Sequence, residues 1–181
     1  MNNLELSSMA RRDPVLNKIF SGVFSSDTLP ERIPFKPLAL IVNTDESHEK
    51  GEHWVAMYFD EEGSVDYFDS YAIHPSLLAQ SFTRFMERNS SKQNFNDKRL
   101  QSLDTAVCGM YCIYFLHERS RRKRLKTITK HFGSNFERND VTVCNFVRRL
   151  YGVAHKVCCS NVKMQKCVPY CKFRNAPINI S

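Results

Sequence analysis

No cysteine occurs before position 108, although seven lie between there and position 171. That distribution excludes an evenly spread disulfide framework, and the odd number fits reduced thiols in an intracellular compartment. Acidic residues are in deficit, 19 against 26 lysines and arginines, for a formal net charge of +7. A surplus of that sign points to polyanionic surroundings, nucleic acid first, without by itself making a sequence reader. No apolar run is long enough to span a membrane, and the start, with Asn2, Asn3 and Glu5, lacks the pattern of a signal peptide. No internal repeat is visible. The expectation is an intracellular protein with no membrane association.

What is present suits one domain: 181 residues, 42% hydrophobic and 25% charged, enough for a core that needs no staples. The domain is read over 1–152, and 153–181 as a cysteine- and lysine-rich tail, packed on the domain or disordered. Leu4, Leu6 and Met9 give a short helix that ends before Asp13-Pro14. Val15 to Phe24 reads as a short helix or a packed loop, and Thr28 to Pro37, with three prolines, as irregular. Three apolar runs follow, Leu38–Asn43, Trp54–Phe59 and Val65–Asp69, the last two joined by an Asp60–Ser64 turn. They predict the middle of a mainly antiparallel sheet. A helical pattern runs from Pro75 to Arg88, and Ser90 to Arg99 is polar and expected to be a mobile connection. Ile128–Phe132 and Asp140–Tyr151 give two more helices, the second stopped by Gly152.

The chain is organised around Gln101 to His117. A polar turn leads into Cys108-Gly109, and the run that follows is apolar on every side, as a buried central helix would be. A cysteine at the first residue of such a helix lies beside free N–H groups and the positive end of the dipole, which favour a thiolate. Gly109 leaves room for another chain to approach. Gln101 could aim an amide N–H at an oxyanion developing near the sulfur.

A thiolate nucleophile needs a proton partner, and an imidazole needs a group that fixes its tautomer. His53 stands where a polar loop becomes a buried strand, and Asp69 ends the next strand. Hairpin geometry brings those two strand ends together, so the carboxylate can hold one ring nitrogen and leave the other for Cys108. Singly, each residue has a plainer reading: a packed core thiol, a capping histidine. Together His53, Asp69, Gln101 and Cys108 form an ordered set, each at the end of an element. His74, in a loop, is the rival base; His117 lies about 13 Å along the helix from Cys108 and is too far. Cys112 and Cys144 read as packed core.

The set resembles the adenovirus-type cysteine endopeptidases, relatives of the proteases acting on SUMO and similar modifiers. The matching stretches are Leu40-Ile41-Val42-Asn43-Thr44, Gly51-Glu52-His53-Trp54, Tyr67-Phe68-Asp69, Gln101 seven residues before Cys108-Gly109, and Phe115-Leu116-His117. The resemblance runs from about Glu5 to Gly152. It implies an α+β fold, with a mixed, mainly antiparallel central sheet packed against a helical lobe whose buried central helix carries the nucleophile. It implies His53 as general base and then acid, Asp69 as its partner, and Gln101 as oxyanion donor. Trp54 and Gly109 would border a narrow groove for small substrate residues, chiefly glycine. The implied substrates are capsid precursors of another virus or of a capsid-encoding DNA transposon, with the host nucleus or the virion as setting. Double-stranded DNA, bound without regard to sequence, is an implied activator. The adenovirus enzyme links its activating peptide through a cysteine upstream of the glutamine; here none exists, so any peptide activator would be non-covalent.

Arg121, Arg122, Lys123 and Arg124 belong to a basic run after the central helix. They are read either as a solvated helix end or as a DNA-contacting patch with salt-dependent binding. His155, Cys158, Cys159, Cys167 and Cys171 could suggest zinc, but the spacing is loose and no metal is assigned. The chemistry needs no cofactor, and a monomer is expected. Two rivals stand beside the endopeptidase: a protease removing ubiquitin-like modifiers, and a non-catalytic basic DNA-binding protein.

Overall fold

The computed structural model describes residues 1–152. In chain order its elements are α1 (Asn3–Arg12), β1 (Phe20–Phe24), β2 (Leu38–Asn43), β3 (Trp54–Phe59), β4 (Ser64–Phe68), α2 (Gln80–Asn89), β5 (Lys92–Phe95), α3 (Cys108–Ser120), α4 (Leu125–Lys130) and α5 (Phe136–Tyr151). Single 3-10 turns stand at Leu16–Lys18 and Pro75–Leu77. The postulated tail and its cysteines fall outside the described residues.

The strands lie in the order β1-β2-β3-β4-β5. The central three pair antiparallel, as expected from their apolar runs, whereas β1 and β5 join the two edges in parallel. The sheet is therefore mixed in equal measure rather than mainly antiparallel. Both outer strands lie in stretches read otherwise from sequence. In β1, Gly22 marks a register shift between Phe20 and Gly22, not a helix interruption. In β5, Lys-Gln-Asn-Phe carries almost no apolar signal; its ladder to β4 is made by the backbone, which composition does not reveal.

The central strands read as continuous apolar runs because both faces are covered. One face buries Leu40, Val42, Met57 and Tyr67 with Phe82 and Phe85 of α2. The other buries Ile41, Trp54, Ala56 and Phe68 with α3. Residues 108–116 of α3 are all buried, with α1 and α5 packed around the helix. Phe115 stacks on Phe68 with ring centroids 4.6 Å apart. The far end of α3 is tied to the sheet by Arg119, whose Nε donates to Asp66 Oδ2 at 2.6 Å while the guanidinium lies over Tyr58.

Local chemistry explains the ends. Asn2 and Glu5 close a capping box on α1, and Asn135 caps α5. Gly152 ends α5 in the left-handed conformation at φ 62°, the stop expected from sequence. Asp13, 2% exposed at the end of α1, gathers donors from across the helical lobe: Leu16 N–H, Tyr151 hydroxyl and the Arg121 guanidinium, with the His117 ring at 2.6 Å. Burial opposes its charge, but the hydrogen bonds from Arg121, Leu16, Val15 and Tyr151 prevail and hold it well below the usual carboxylate range.

Candidate active site

Cys108 is the first residue of α3, and no side chain caps that helix start. His53 immediately precedes β3, where its carbonyl accepts from Thr44 N–H at 2.9 Å. The β3–β4 register pairs Ala56 with Phe68, so its continuation sets Asp69 diagonally across from His53. The side chains meet there: His53 Nε2 lies 2.8 Å from Asp69 Oδ1. That leaves Nδ1 for the other side of the ring, where Cys108 is near enough to influence it. Burial works against the charged ring, yet the hydrogen bonds to Asp69 and Cys108 outweigh it and raise its pKa to about 9. The geometry thus joins carboxylate and imidazole directly.

Asp69 is held from several sides. Its Oδ1 also accepts from Tyr71 N–H at 2.8 Å. Asn96 grips its backbone twice, accepting from Asp69 N–H at 2.9 Å and donating to Asp69 C=O at 2.7 Å. Asn96 sits in the polar stretch read as mobile; its buried amide fixes that stretch to the acid. Gln101 is brought to the same end through Ser70, whose hydroxyl donates to Gln101 Oε1 at 2.7 Å. The Gln101 amide is wholly buried, and its Nε2 donates to Thr105 C=O at 2.7 Å. Ser70, Tyr71, Asn96 and Thr105 were not singled out from sequence. Only the two residues following Asp69 carried any positional hint.

Gly109 serves a different neighbour from the one expected. A Cβ there would meet Leu6 Cδ2 at 3.1 Å, Met1 Sδ at 3.2 Å and Trp54 Cδ1 at 3.4 Å. Leu6 of α1, Met1 and the Trp54 indole thus pack close against Gly109. Gly109→Val should therefore cost about 1–3 kcal/mol through overpacking, measured as a lower urea midpoint at unchanged slope.

The basic run divides between ion pairs and a groove. Arg121 is engaged with Asp13, and Lys123 with Glu118. Arg122 and Arg124 line a groove of about 780 Å³ together with Lys18, Lys92, Lys126, Asp60, Glu61 and Glu62. Of the ion pairs, only Arg121–Asp13 joins residues far apart in sequence, which a linear reading of charge does not foresee. His74 caps the Pro75–Leu77 turn. Cys112 is buried one turn beyond Cys108, and burial pushes its thiol pKa well up. Among the described residues, no three metal-ligating side chains cluster.

No protein-family model matches the chain. A protease of bovine adenovirus C serotype 10 is 28% identical over 89 residues, 42% of this chain and 45% of that protein. The chain thus spans about half the length of the curated relative it matches. The crystal structure of the African swine fever virus (ASFV) pS273R protease superposes with a TM-score of 0.63 at 18% identity, over 84% of this chain and 67% of that one. The selenomethionine form of that protease gives a TM-score of 0.50 at 23% identity, over 65% and 44%. The chain shares the fold of the ASFV pS273R protease.

Proposed function

We propose that this chain is a cysteine endopeptidase with Cys108 as nucleophile, His53 as base and acid, and Asp69 as the partner that orients the ring. The observation that carries the reading is the 2.8 Å contact between His53 Nε2 and Asp69 Oδ1, with Cys108 acting on the same ring from the start of a buried helix. The Cys108 thiolate attacks the peptide carbonyl, and the Cys108 backbone N–H and the Gln101 amide stabilise the oxyanion. His53 then gives its proton to the leaving amine, and a thioester joins Cys108 to the acyl fragment. Neutral His53 takes a proton from the incoming water, and collapse of the second intermediate returns the thiolate and the imidazolium.

Substrates with glycine beside the scissile bond fit the indole placed directly after the base, and capsid precursors fit the likeness to two viral proteases. The decisive experiment incubates the protein with a candidate capsid precursor and, separately, with a Gly-Gly modifier fusion, each with and without double-stranded DNA. Cleavage of the precursor alone supports the capsid reading. Preferential cleavage of the fusion moves the assignment to modifier removal.

The raised pKa of His53 fixes the alkaline limb of that activity. Because it is raised, the stabilisation from the charged ring is complete below the ordinary value of 6.5 and is lost as pH rises through about 9. Peptide cleavage should decline with a midpoint near 9, and Asp69→Asn should move that midpoint down. A wild-type profile still rising beyond pH 10 would show that the imidazolium takes no part.

A further inference from the structure

The proposed mechanism leaves one buried carboxylate without a role. Asp140 of α5 has no exposed surface, and a carboxylate taken out of water is costly unless its hydrogen bonds are well made. Its donors all belong to the helix and loop that carry the nucleophile and the amide. Thr105 hydroxyl donates to Oδ2 at 2.8 Å, Ser102 N–H to the same oxygen at 3.3 Å, and Tyr111 hydroxyl to Oδ1 at 2.8 Å. The preceding residue, Asn139, donates to Leu100 C=O at 3.0 Å. Two consecutive residues of α5 thereby hold the backbone on either side of Gln101.

Thr105 links this anchor to the amide. Its hydroxyl has one hydrogen and two nearby acceptors, Asp140 Oδ2 at 2.8 Å and Ser102 C=O at 3.2 Å. The shorter, charged acceptor wins, which turns the oxygen lone pairs away from Asp140. Gln101 Nε2 lies 3.3 Å from that oxygen, a long contact, and 2.7 Å from Thr105 C=O, a good one. The same carbonyl accepts the Tyr71 hydroxyl at 3.2 Å. Thr105 thus takes both contacts of the Gln101 amide nitrogen, the carbonyl the shorter one.

From this geometry we infer that Thr105 and Asp140 are positioning residues: they anchor the loop between Gln101 and Cys108 and, through the Thr105 carbonyl, fix the orientation of the Gln101 amide, the proposed oxyanion donor. The inference rests on the endopeptidase reading above. Neither residue touches the reacting atoms in this account. They act by keeping the Thr105 carbonyl where it orients Gln101.

The test compares wild type with Thr105→Val, Thr105→Ala and Thr105→Ser, on full-length protein. Thr105 is only half-buried, so loss of its hydroxyl should not unfold the chain. Peptide cleavage is measured as kcat and KM, and alkylation of Cys108 by iodoacetamide is followed by peptide mass mapping. Alkylation needs the sulfur and the base but no oxyanion donor, so it separates positioning from collapse. The valine and alanine variants should lose about tenfold to a hundredfold in kcat, with KM and the alkylation rate within twofold of wild type. The serine variant should recover most of kcat. Unchanged kcat in both variants lacking the hydroxyl, parallel losses of kcat and alkylation, or no recovery with serine would each overturn the brace while leaving the endopeptidase reading standing. A wild type that cleaves no peptide would overturn both.

Discussion

Cys108→Ala should abolish peptide cleavage, with a loss on the order of 10⁵–10⁶ in kcat, while the protein folds as before. The sulfur is 6% exposed and the change removes one atom from a core that stays otherwise filled, so the stability cost should be about 1 kcal/mol. No other thiol among the described residues can take over. Cys112 is on the same helix but 1% exposed, with a pKa raised by burial, and Cys144 contacts Met110 in the core. The measurement is cleavage of a precursor substrate by wild type and variant, with matched thermal melts. A variant keeping more than about one part in a hundred of wild-type activity would remove Cys108 from the reaction.

Asp13→Ala carries the largest expected effect on stability, about 3–5 kcal/mol. The cost comes less from lost attraction than from what is left behind. The Arg121 guanidinium, the Tyr151 hydroxyl and the His117 ring would remain in a largely dry site without their common acceptor. Three helices, α1, α3 and α5, would lose the point where they meet. Urea unfolding should show the midpoint falling sharply. Because the Asp13 pKa is depressed, its contribution is complete above the ordinary value of 3.8 and is lost as pH falls below it, so the difference between wild type and variant should shrink in strong acid. As a control, Glu31→Ala breaks an exposed pair with Arg88 and should change stability by less than about 1 kcal/mol. Equal effects at both positions would mean that the Asp13 cluster stabilises nothing beyond a surface ion pair.

The comparison of sequence with structure divides along physical lines. Cys108 was legible because a helix apolar on all sides must be central, and its first residue must sit at a helix start. His53 and Asp69 were legible because a hairpin fixes which strand ends meet, and the 2.8 Å contact between them follows from that register. Their catalytic roles came from resemblance, and they stand here as proposals. The edge strands were missed because β5 is polar and β1 is interrupted by Gly22, so neither shows the period of two on which strand reading depends. The supporting residues were missed for a deeper reason. Asn96, Thr105 and Asp140 are polar side chains satisfied by partners 27 to 38 residues away, and nothing in their immediate neighbours encodes those distances.

The tether at the far end of α3 has a mechanical consequence. Arg119 moors that helix to β4 through Asp66 and to β3 through the Tyr58 ring, while Phe115 is stacked on Phe68 midway along. Sulfur and imidazole therefore stand at the ends of elements, α3 and β3, that are tied to each other further along. Any adjustment that tunes this chemistry has to occur in the short polar loops, 69–71 and 101–107, whose side-chain bonds can be exchanged one at a time. A compound that wedges between those loops should silence turnover and leave the thiol as reactive as before.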